Sequence, residues 1–471
     1  MTNGILSYGA YVPYFRLPRA SISAALGTPP AGGERAVASY DEDPTSMGVE
    51  AARIALRGAP DGVTPKDLFF ATADPPYLDK TNATAIHAAL DLDSSAGAYD
   101  MVGSVRSGVV AMVAGYRAGP PTLVVRADVR TGLAGGADER DGGDGAAAFL
   151  FGSDRDGPVI AEVIGGAAAT GEFLDRWRIP GELGSHVWEE RFGEHAYVPL
   201  AEQAWADALK GAGLAPDAID SLIVAGPQSR AVKRMAKALG TRPEAAVDDL
   251  SKTVGNTGTA HTGIMLADVL DRAEPGQVIA VLLLADGADV VLFRTTDALS
   301  QNRASTTVAE QIAAGRNDLA YDTYLTWRGH LHREPPRRPD PTPPSSPPAF
   351  RTEGWKFAFI GSKCRVCGTR NLPPARVCVS CKTADQMDPD ALADVQGTIA
   401  TFTIDRLAFT LSPPTVVVVI DFDGGGRFQC ELTDVDPDTV AIGNRVEMTF
   451  RRIMTAAGVH NYFWKARPVR G

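Results

Sequence analysis

SLIVAGPQSRAVKRMAKALG, residues 221–240, decides the fold class. The opening stretch, 221–226, is apolar, rich in β-branched residues and ends in glycine, as a short buried strand does. The continuation, 230–240, spaces its cations three and four residues apart and stops at Gly240, as a helix does. This strand-then-helix unit recurs. LFFATAD (68–74), TLVVRADV (122–129), AAAFLFG (146–152) and VIAVLLLA (278–285) read as further buried strands. SMGVEAARIALRGA (46–59) reads as a helix with Met47, Val49, Ala52, Ile54 and Leu56 on or near one side. Strands alternating with helices predict an α/β domain over residues 1–300. Its two comparable halves run roughly over 1–165 and 166–300.

Around this domain the composition is that of a folded protein. Of 471 residues 44% are hydrophobic and 22% charged, which excludes a wholly disordered chain. Lys and Arg total 46 against 57 acidic residues, a formal charge of −11, which argues against a nucleic-acid binder. No apolar run reaches the roughly 18–20 residues of a membrane span. The N-terminus MTNGILSYGAYVPYFR has no basic start, apolar core and cleavage site, so a cytoplasmic protein is expected. The Gly-rich GGADERDGGDGAAA (135–148) lacks both the dinucleotide and the Walker patterns and reads as a turn before a strand.

Beyond residue 300 the pattern changes. Residues 301–350 read as a helical and Pro-rich linker, the prolines concentrated in HREPPRRPDPTPPSSPPAF (332–350). All five cysteines follow it: Cys364, Cys367, Cys378, Cys381 and Cys430. The first four form C-x2-C-x10-C-x2-C, in which each pair can put two thiolates on one metal and the intervening residues let the pairs meet. Four thiolates with no open position favour a structural Zn²⁺, over residues 351–390. Cys430 sits in a strand pattern and reads as a small buried hydrophobe. GTIATFTI (397–404), TVVVVIDFD (415–423), RFQCELTDV (427–435) and RVEMTFRRI (445–453), separated by Gly and Pro turns, suit an OB-fold over residues 391–471.

Four stretches carry a family resemblance: SYDEDPTSMGVEAARIAL (39–56), ATADPPYLDKTNATAIHAAL (71–90), VGNTGTAHTGIMLADVL (254–270) and the residues around SVRSG (104–108). They resemble 3-hydroxy-3-methylglutaryl-CoA synthases, especially the archaeal kind. The resemblance implies a thiolase-superfamily fold, two β-α-β-α-β-α-β-β halves in five layers, and a homodimer. The tail resembles the zinc-ribbon and OB-fold proteins that accompany thiolases and act with acyl-CoA substrates, which implies a coenzyme A thioester substrate and a thiolase or acyl-carrier partner. The family's catalytic Glu, Cys and His fall by motif on Ala73, three before Pro76-Tyr77, on Val105, three before Gly108, and on Ala225, two before Pro227. None of these carries a reactive group, and residues 1–363 contain no cysteine. An acetyl-cysteine intermediate is therefore not expected.

Aldol, retro-aldol or Claisen-type chemistry remains open, because it needs only a base, an acid and donors for an enolate oxygen in a polar pocket. Asn256, at a family Asn position, is the expected oxygen-binding donor. His261, at a helix start where the dipole disfavours its charge, and Asp74, next to the lost Glu, are the expected bases. Ser104, His186 and Tyr77 are weaker candidates. Arg230, Lys233, Arg234 and Lys237 lie at i, i+3, i+4 and i+7, on one helix face, and are candidates for the CoA phosphates. The alternatives are a silent acyl-CoA-binding scaffold and an acyltransferase with a non-Cys nucleophile. One prediction concerns the metal alone. Elemental analysis of purified protein is expected to find one Zn²⁺ per chain, and Cys364→Ser is expected to unfold the tail and little else by circular dichroism. A metal-free, fully folded tail would contradict it.

Overall fold

The computed structural model describes residues 2–337, 339 and 341–470; positions 338 and 340 of the Pro-rich linker lie outside the described residues. The chain divides into two compact units. The first comprises Met1–Ala38, Glu50–Thr84 and Asp93–Tyr321. The second comprises Ser39–Val49, Ala85–Leu92 and Asp322–Gly471, so two short segments from within the first 300 residues pack with the C-terminal ones.

The first unit is built on nine strands: β1 (Asn3–Tyr11), β2 (Asp67–Thr72), β3 (Gly97–Val102), β4 (Thr122–Asp128), β5 (Gly145–Ser153), β6 (Ala161–Ala169), β7 (Ser221–Ala225), β8 (Val278–Leu284) and β9 (Ala288–Thr295). Their order across the sheet is β7-β8-β9-β6-β1-β5-β4-β2-β3. The repeat is visible in this order. β1 and β5, then β5 and β4, are antiparallel, while β4 and β2, then β2 and β3, are parallel. In the second half β6 and β9, then β9 and β8, are antiparallel, and β8 and β7 parallel. A counterpart of β3 is reduced to a single parallel bridge, Leu222↔Ala246. The halves meet through two register pairs, Gly4↔Glu162 and Ile5↔Ala161. The sequence reading missed β1, β3, β6 and β9. β6, AEVIGGAAA, has too few β-branched residues to declare itself, and β3 is a half-exposed edge strand with a polar centre.

Strand alternation sorts the side chains into two cores. Ile279, Val281 and Leu283 of β8, with Val291 and Phe293 of β9, join Val124 of β4 and Phe149 of β5. The helices Ser107–Arg117 and His261–Arg272 lie in this core between the halves; the second is buried nearly all round, as a central-layer helix must be. The opposite faces of β8 and β9, through Ala280, Leu282, Val290 and Leu292, pack on the helices Glu190–Ala212 and Ser229–Ala238. On β1, Gly9 admits the helix Pro44–Arg57: a Cβ there would lie 2.5 Å from the Ala51 carbonyl. The described residues contain no helix long and apolar enough to cross a membrane.

In the second unit the strands Ile360–Cys364, Arg370–Asn371 and Met387–Ala391 form a small sheet beside the cysteines. A closed five-stranded barrel follows, Gly397–Asp405, Thr415–Phe422, Arg427–Leu432, Arg445–Ala456 and Val459–Pro468. Its interior takes alternate residues, among them Val416, Val418, Ile420, Phe450 and Trp464. Cys430 is half-buried in it, and burial pushes its thiol up to about 12.

The barrel also holds a buried ionic network with residues 39–49. Arg451 pairs with Glu42 at 2.9 Å, Asp41 at 3.4 Å and Asp434 at 2.5 Å. Lys465 pairs with Asp41 at 2.8 Å and Glu431 at 2.6 Å, and Tyr462 donates to Asp43 at 2.7 Å. Burial alone would raise the Asp41 carboxyl; the charges of Lys465 and Arg451 overcome it and hold the group below the usual carboxylate range. Breaking such a network strands a buried charge, at a cost of about 3–5 kcal/mol. Arg451→Met is therefore expected to destabilise the second unit by about that amount in denaturant titration followed by tryptophan fluorescence. A midpoint equal to wild type would show that the network contributes nothing net.

Candidate active site

A cavity of about 100 Å³ opens in the first unit where β2 and β4 end. Ala73 and Asp74 follow β2, Ser104 and Val105 precede the helix Ser107–Arg117, and Arg130 and Thr131 follow β4; all six line the cavity. The far wall comes from Asp175–Arg178, Tyr197, Pro227 and Asp286. Chain ends at the carboxyl side of parallel strands are where α/β folds collect ligand-binding groups.

Asp128, the last residue of β4, organises the walls. It is fully buried and accepts hydrogen bonds from Thr72 Oγ1 (2.8 Å), Ala73 N–H (2.7 Å) and Thr259 N–H (2.6 Å). Burial pushes its carboxyl up, opposed by Arg130 and by these donors. Gly258, at φ +58°, makes the approach possible, since a Cβ there would meet Asp128 Oδ2 at 2.4 Å. Arg130 is fixed through its backbone: its N–H donates to Asp144 Oδ1 (2.8 Å) and its carbonyl accepts from Arg35 Nη2 (2.8 Å). On the far wall Arg176 grips Asp138 with both nitrogens (3.0 and 2.5 Å). Arg178 pairs with Asp74 (2.9 Å) and donates to the Ala73 carbonyl (2.7 Å).

The residues singled out by sequence divide in two. Asp74, Ser104, Ala73 and Val105 meet in the cavity. Ala225 is 3% exposed and belongs to the same core as Val105 and Ala71. Asn256 is not on the cavity wall, and both ends of its amide serve the backbone: Nδ2 donates to the Gly226 carbonyl (2.9 Å) and Oδ1 accepts from Gly258 N–H (2.9 Å). His261 does not line the cavity either; it is buried in the first turn of its helix, its Nδ1 3.4 Å from the Thr257 N–H. It stays neutral, as expected, but burial is the chief cause, lowering its pKa to about 4 against the opposing charge of Asp249. Tyr77 is anchored through its backbone to the Asn82 side chain (3.0 Å). His186 is exposed, pairs with Glu182 (2.8 Å) and stacks on Trp177, whose other surroundings include the cavity. Among the described residues, no base hydrogen-bonds the Ser104 hydroxyl.

Arg230, Lys233, Arg234 and Lys237 are all exposed along the helix Ser229–Ala238, opposite the buried Ala231 and Met235. The Gln228 side chain caps this helix by accepting from Arg230 N–H (3.3 Å), and Arg234 pairs with Glu194 (3.0 Å). Sequence reasoning missed Asp128, Arg130, Arg176 and Arg178. The readable signal was a charged residue closing each apolar or aromatic run, RADVR at 126–130 and RWR at 176–178.

In the second unit the four Sγ atoms of Cys364, Cys367, Cys378 and Cys381 all lie within 4.8 Å of one another. Cys364 and Cys381 are 3.6 Å apart, Cys367 and Cys378 3.5 Å. Tetrahedral thiolates at about 2.3 Å from zinc stand about 3.8 Å apart, so the donor set fits. The two pairs sit in matching turns, closed by Cys364 N–H to the Thr369 carbonyl and Cys378 N–H to the Thr383 carbonyl (both 3.0 Å).

Residues 391–451 match the family model of the C-terminal OB-fold domain of ChsH2, and 209–291 that of the C-terminal domain of 3-oxoacyl-[acyl-carrier-protein] synthase III. The chain is 32% identical over 352 residues to the hydroxymethylglutaryl-CoA synthase of Aeropyrum pernix, covering 70% of this chain and 94% of that one. To the same enzyme of Methanocaldococcus jannaschii it is 30% identical, covering 62% and 88%. Among solved structures, an HMG-CoA synthase complexed with CoA superposes with a TM-score of 0.60 at 16% identity, over 69% of this chain and 90% of that one. The HMG synthase of the curacin biosynthetic pathway, in complex with acetyl donor-ACP, does so with 0.60 at 18%, over 70% and 89%. The chain belongs to the hydroxymethylglutaryl-CoA synthase family of the thiolase superfamily, extended by a C-terminal OB-fold domain.

Proposed function

We propose that the first unit binds a coenzyme A thioester and makes or breaks a carbon–carbon bond by an aldol, retro-aldol or Claisen-type step, without a cysteine acyl-enzyme. One observation carries the reading. The cavity bounded by Ala73 and Val105 is open and lined by charged and hydroxyl side chains, Asp74, Ser104, Arg130, Thr131 and Arg178 among them. A merely silent remnant would instead be expected to fill such a space with apolar side chains. The absence of cysteine before residue 364 removes the family's nucleophile, and an enolate step does not require one.

Asp74 is the proton-transfer group in this reading, held ready by Arg178. Asn256 and His261 then act as positioning residues, the first tying Gly226 to the Gly258 turn and the second accepting from the Thr257 N–H that precedes it. The exposed cations Arg230, Lys233, Arg234 and Lys237 lie on the helix that follows Pro227, a cavity residue, and would meet the CoA phosphates. Cys364, Cys367, Cys378 and Cys381 would hold Zn²⁺, which in a four-thiolate site stabilises the fold and has no position for substrate. The edge strand Gly97–Val102, with Tyr99 and Val102 exposed, suits a homodimer. A silent acyl-CoA-binding scaffold, or a partner subunit of a thiolase-type complex, is the second reading, favoured by the use of both ends of the Asn256 amide on the backbone. A non-Cys acyltransferase lacks a base at Ser104.

The reading is tested with a panel of β-hydroxyacyl-CoAs. Cleavage is expected in wild type and a loss of about 10²–10⁴ in turnover in Asp74→Asn. Intact-mass measurement after incubation with acetyl-CoA is expected to find no acetyl adduct. Activity untouched by Asp74→Asn rejects the base, an adduct on Ser104 restores acyl transfer, and CoA binding without turnover favours the scaffold.

A further inference from the structure

Three carboxylates line the cavity, and they differ in what holds them. Asp74 is committed to Arg178 at 2.9 Å. Asp175 is buried, accepts the Tyr197 hydroxyl at 3.3 Å and is pushed towards its neutral form by burial. Asp286 is exposed, and among the described residues its carboxylate has no hydrogen-bond or ion-pair partner. Its backbone is held from both sides instead: the N–H donates to the Tyr197 hydroxyl (3.1 Å) and the carbonyl accepts from Arg106 Nη1 (2.7 Å). Asp286 is the middle residue of the turn 285–287 between β8 and β9, which the Ala285 N–H closes on the Gly287 carbonyl (3.1 Å). Its φ is +49°, in the left-handed region that glycine enters freely and a residue with a side chain enters at a cost. Glycine would serve this turn better if only the backbone mattered. A free carboxylate held there, at a strand end and facing a cavity, has the character of a reacting group.

We infer that Asp286 is a second catalytic carboxylate of this cavity, the base that takes the proton of a β-hydroxyl on the bound thioester. The inference rests on the carbon–carbon reading above, and the experiment separates the two. In the cleavage direction the hydroxyl O–H bond breaks and its proton passes to the Asp286 carboxylate. The freed electron pair closes the new carbonyl as the Cα–Cβ bond breaks, and the pair of that bond passes to the thioester as an enolate. The proton is handed on, through solvent, to Asp74 and from it to the α-carbon. Both carboxylates end as they began, and nothing is oxidised or reduced. The order follows from where each group stands. Asp74 follows β2 on the wall shared with Val105, and Asp286 stands on the far wall, so the two reach a ligand from different sides. Asp286 is the better first acceptor, because the charge of Arg178 lowers the affinity of Asp74 for a proton.

Asp286→Asn keeps the shape of the side chain and removes the basic oxygen, while Asp286→Gly removes the side chain and suits the backbone. In the full chain, assayed with the β-hydroxyacyl-CoA panel, both are expected to lose about 10²–10⁴ in turnover. Asp286→Gly is expected to melt no lower than wild type, which separates a reacting group from a turn residue. Turnover retained in either variant overturns the assignment, and leaves the carbon–carbon reading in place if Asp74→Asn is still inactive. Should Asp286→Gly melt lower, Asp286→Asn decides alone. If wild type cleaves nothing, the carbon–carbon reading fails and binding decides for Asp286. 3-Hydroxybutyryl-CoA and butyryl-CoA differ by one hydroxyl. Calorimetric titration is then expected to find the first bound at least about fivefold more tightly in wild type, and the two bound equally in Asp286→Gly. That result keeps Asp286 as the acceptor of the hydroxyl. Equal binding in wild type, a preference that survives Asp286→Gly, or no binding of either ester overturns the assignment as well.

Discussion

The first unit depends on one buried carboxylate. Asp128 ends a strand inside the sheet, where an ionised group is costly, and it is stabilised by donors from β2, the residue after it and the Gly258–Ala260 turn. Of these, Ala73 lines the cavity directly. The carboxylate therefore sets the site's geometry without lining it. Gly258 is the steric counterpart, because any side chain there would occupy the oxygen's place. The consequences run outward: Ala73 is held with its carbonyl turned to Arg178, and two residues beyond Asp128 the chain delivers Arg130 to the cavity.

The second unit solves a related problem differently. Asp41, Glu42, Asp434, Arg451 and Lys465 are all buried, and each charge has an opposite one within ion-pair distance. Such clusters add little over apolar packing, but they reject any arrangement that leaves one charge unpaired. Segment Ser39–Val49 is thereby specified as part of the barrel's unit despite its place in the sequence. More locally, the four cysteines converge beside the small sheet, their Sγ atoms all within 4.8 Å of one another.

Family membership gives this chain its fold, and the cavity gives it its own side chains. The fold is that of hydroxymethylglutaryl-CoA synthases, and the repeated half-sheets, central helices and cavity at the strand ends are all present. The cavity's character is its own: alanine and valine where it meets β2 and the helix Ser107–Arg117, with arginine on two sides. Fold establishes where a reaction can occur, and side chains establish which one. For this reason the proposed chemistry rests on the cavity's charges rather than on its relatives.

The sequence by itself determined the elements with strong periodicity and the cysteine cluster. β2, β4, β5, β7 and β8, the first four barrel strands and the C-x2-C pairs declare themselves through local patterns; the fifth barrel strand, Val459–Pro468, was not read. The candidate site was legible only in part. Asp74, Ser104, Ala73 and Val105 were identified by position next to motifs, and they do converge. Asn256 and His261 have the right chemistry in the right motif, yet their hydrogen bonds turn them into the backbone and core. Arg130 and Arg178 are separated by almost fifty residues and by a strand crossing between halves, so no local pattern unites them. Only the tertiary structure decided that they share a cavity, because charge pairing depends on distances in space. Spacing along a chain records a helix or strand face but not which cations and carboxylates meet in space.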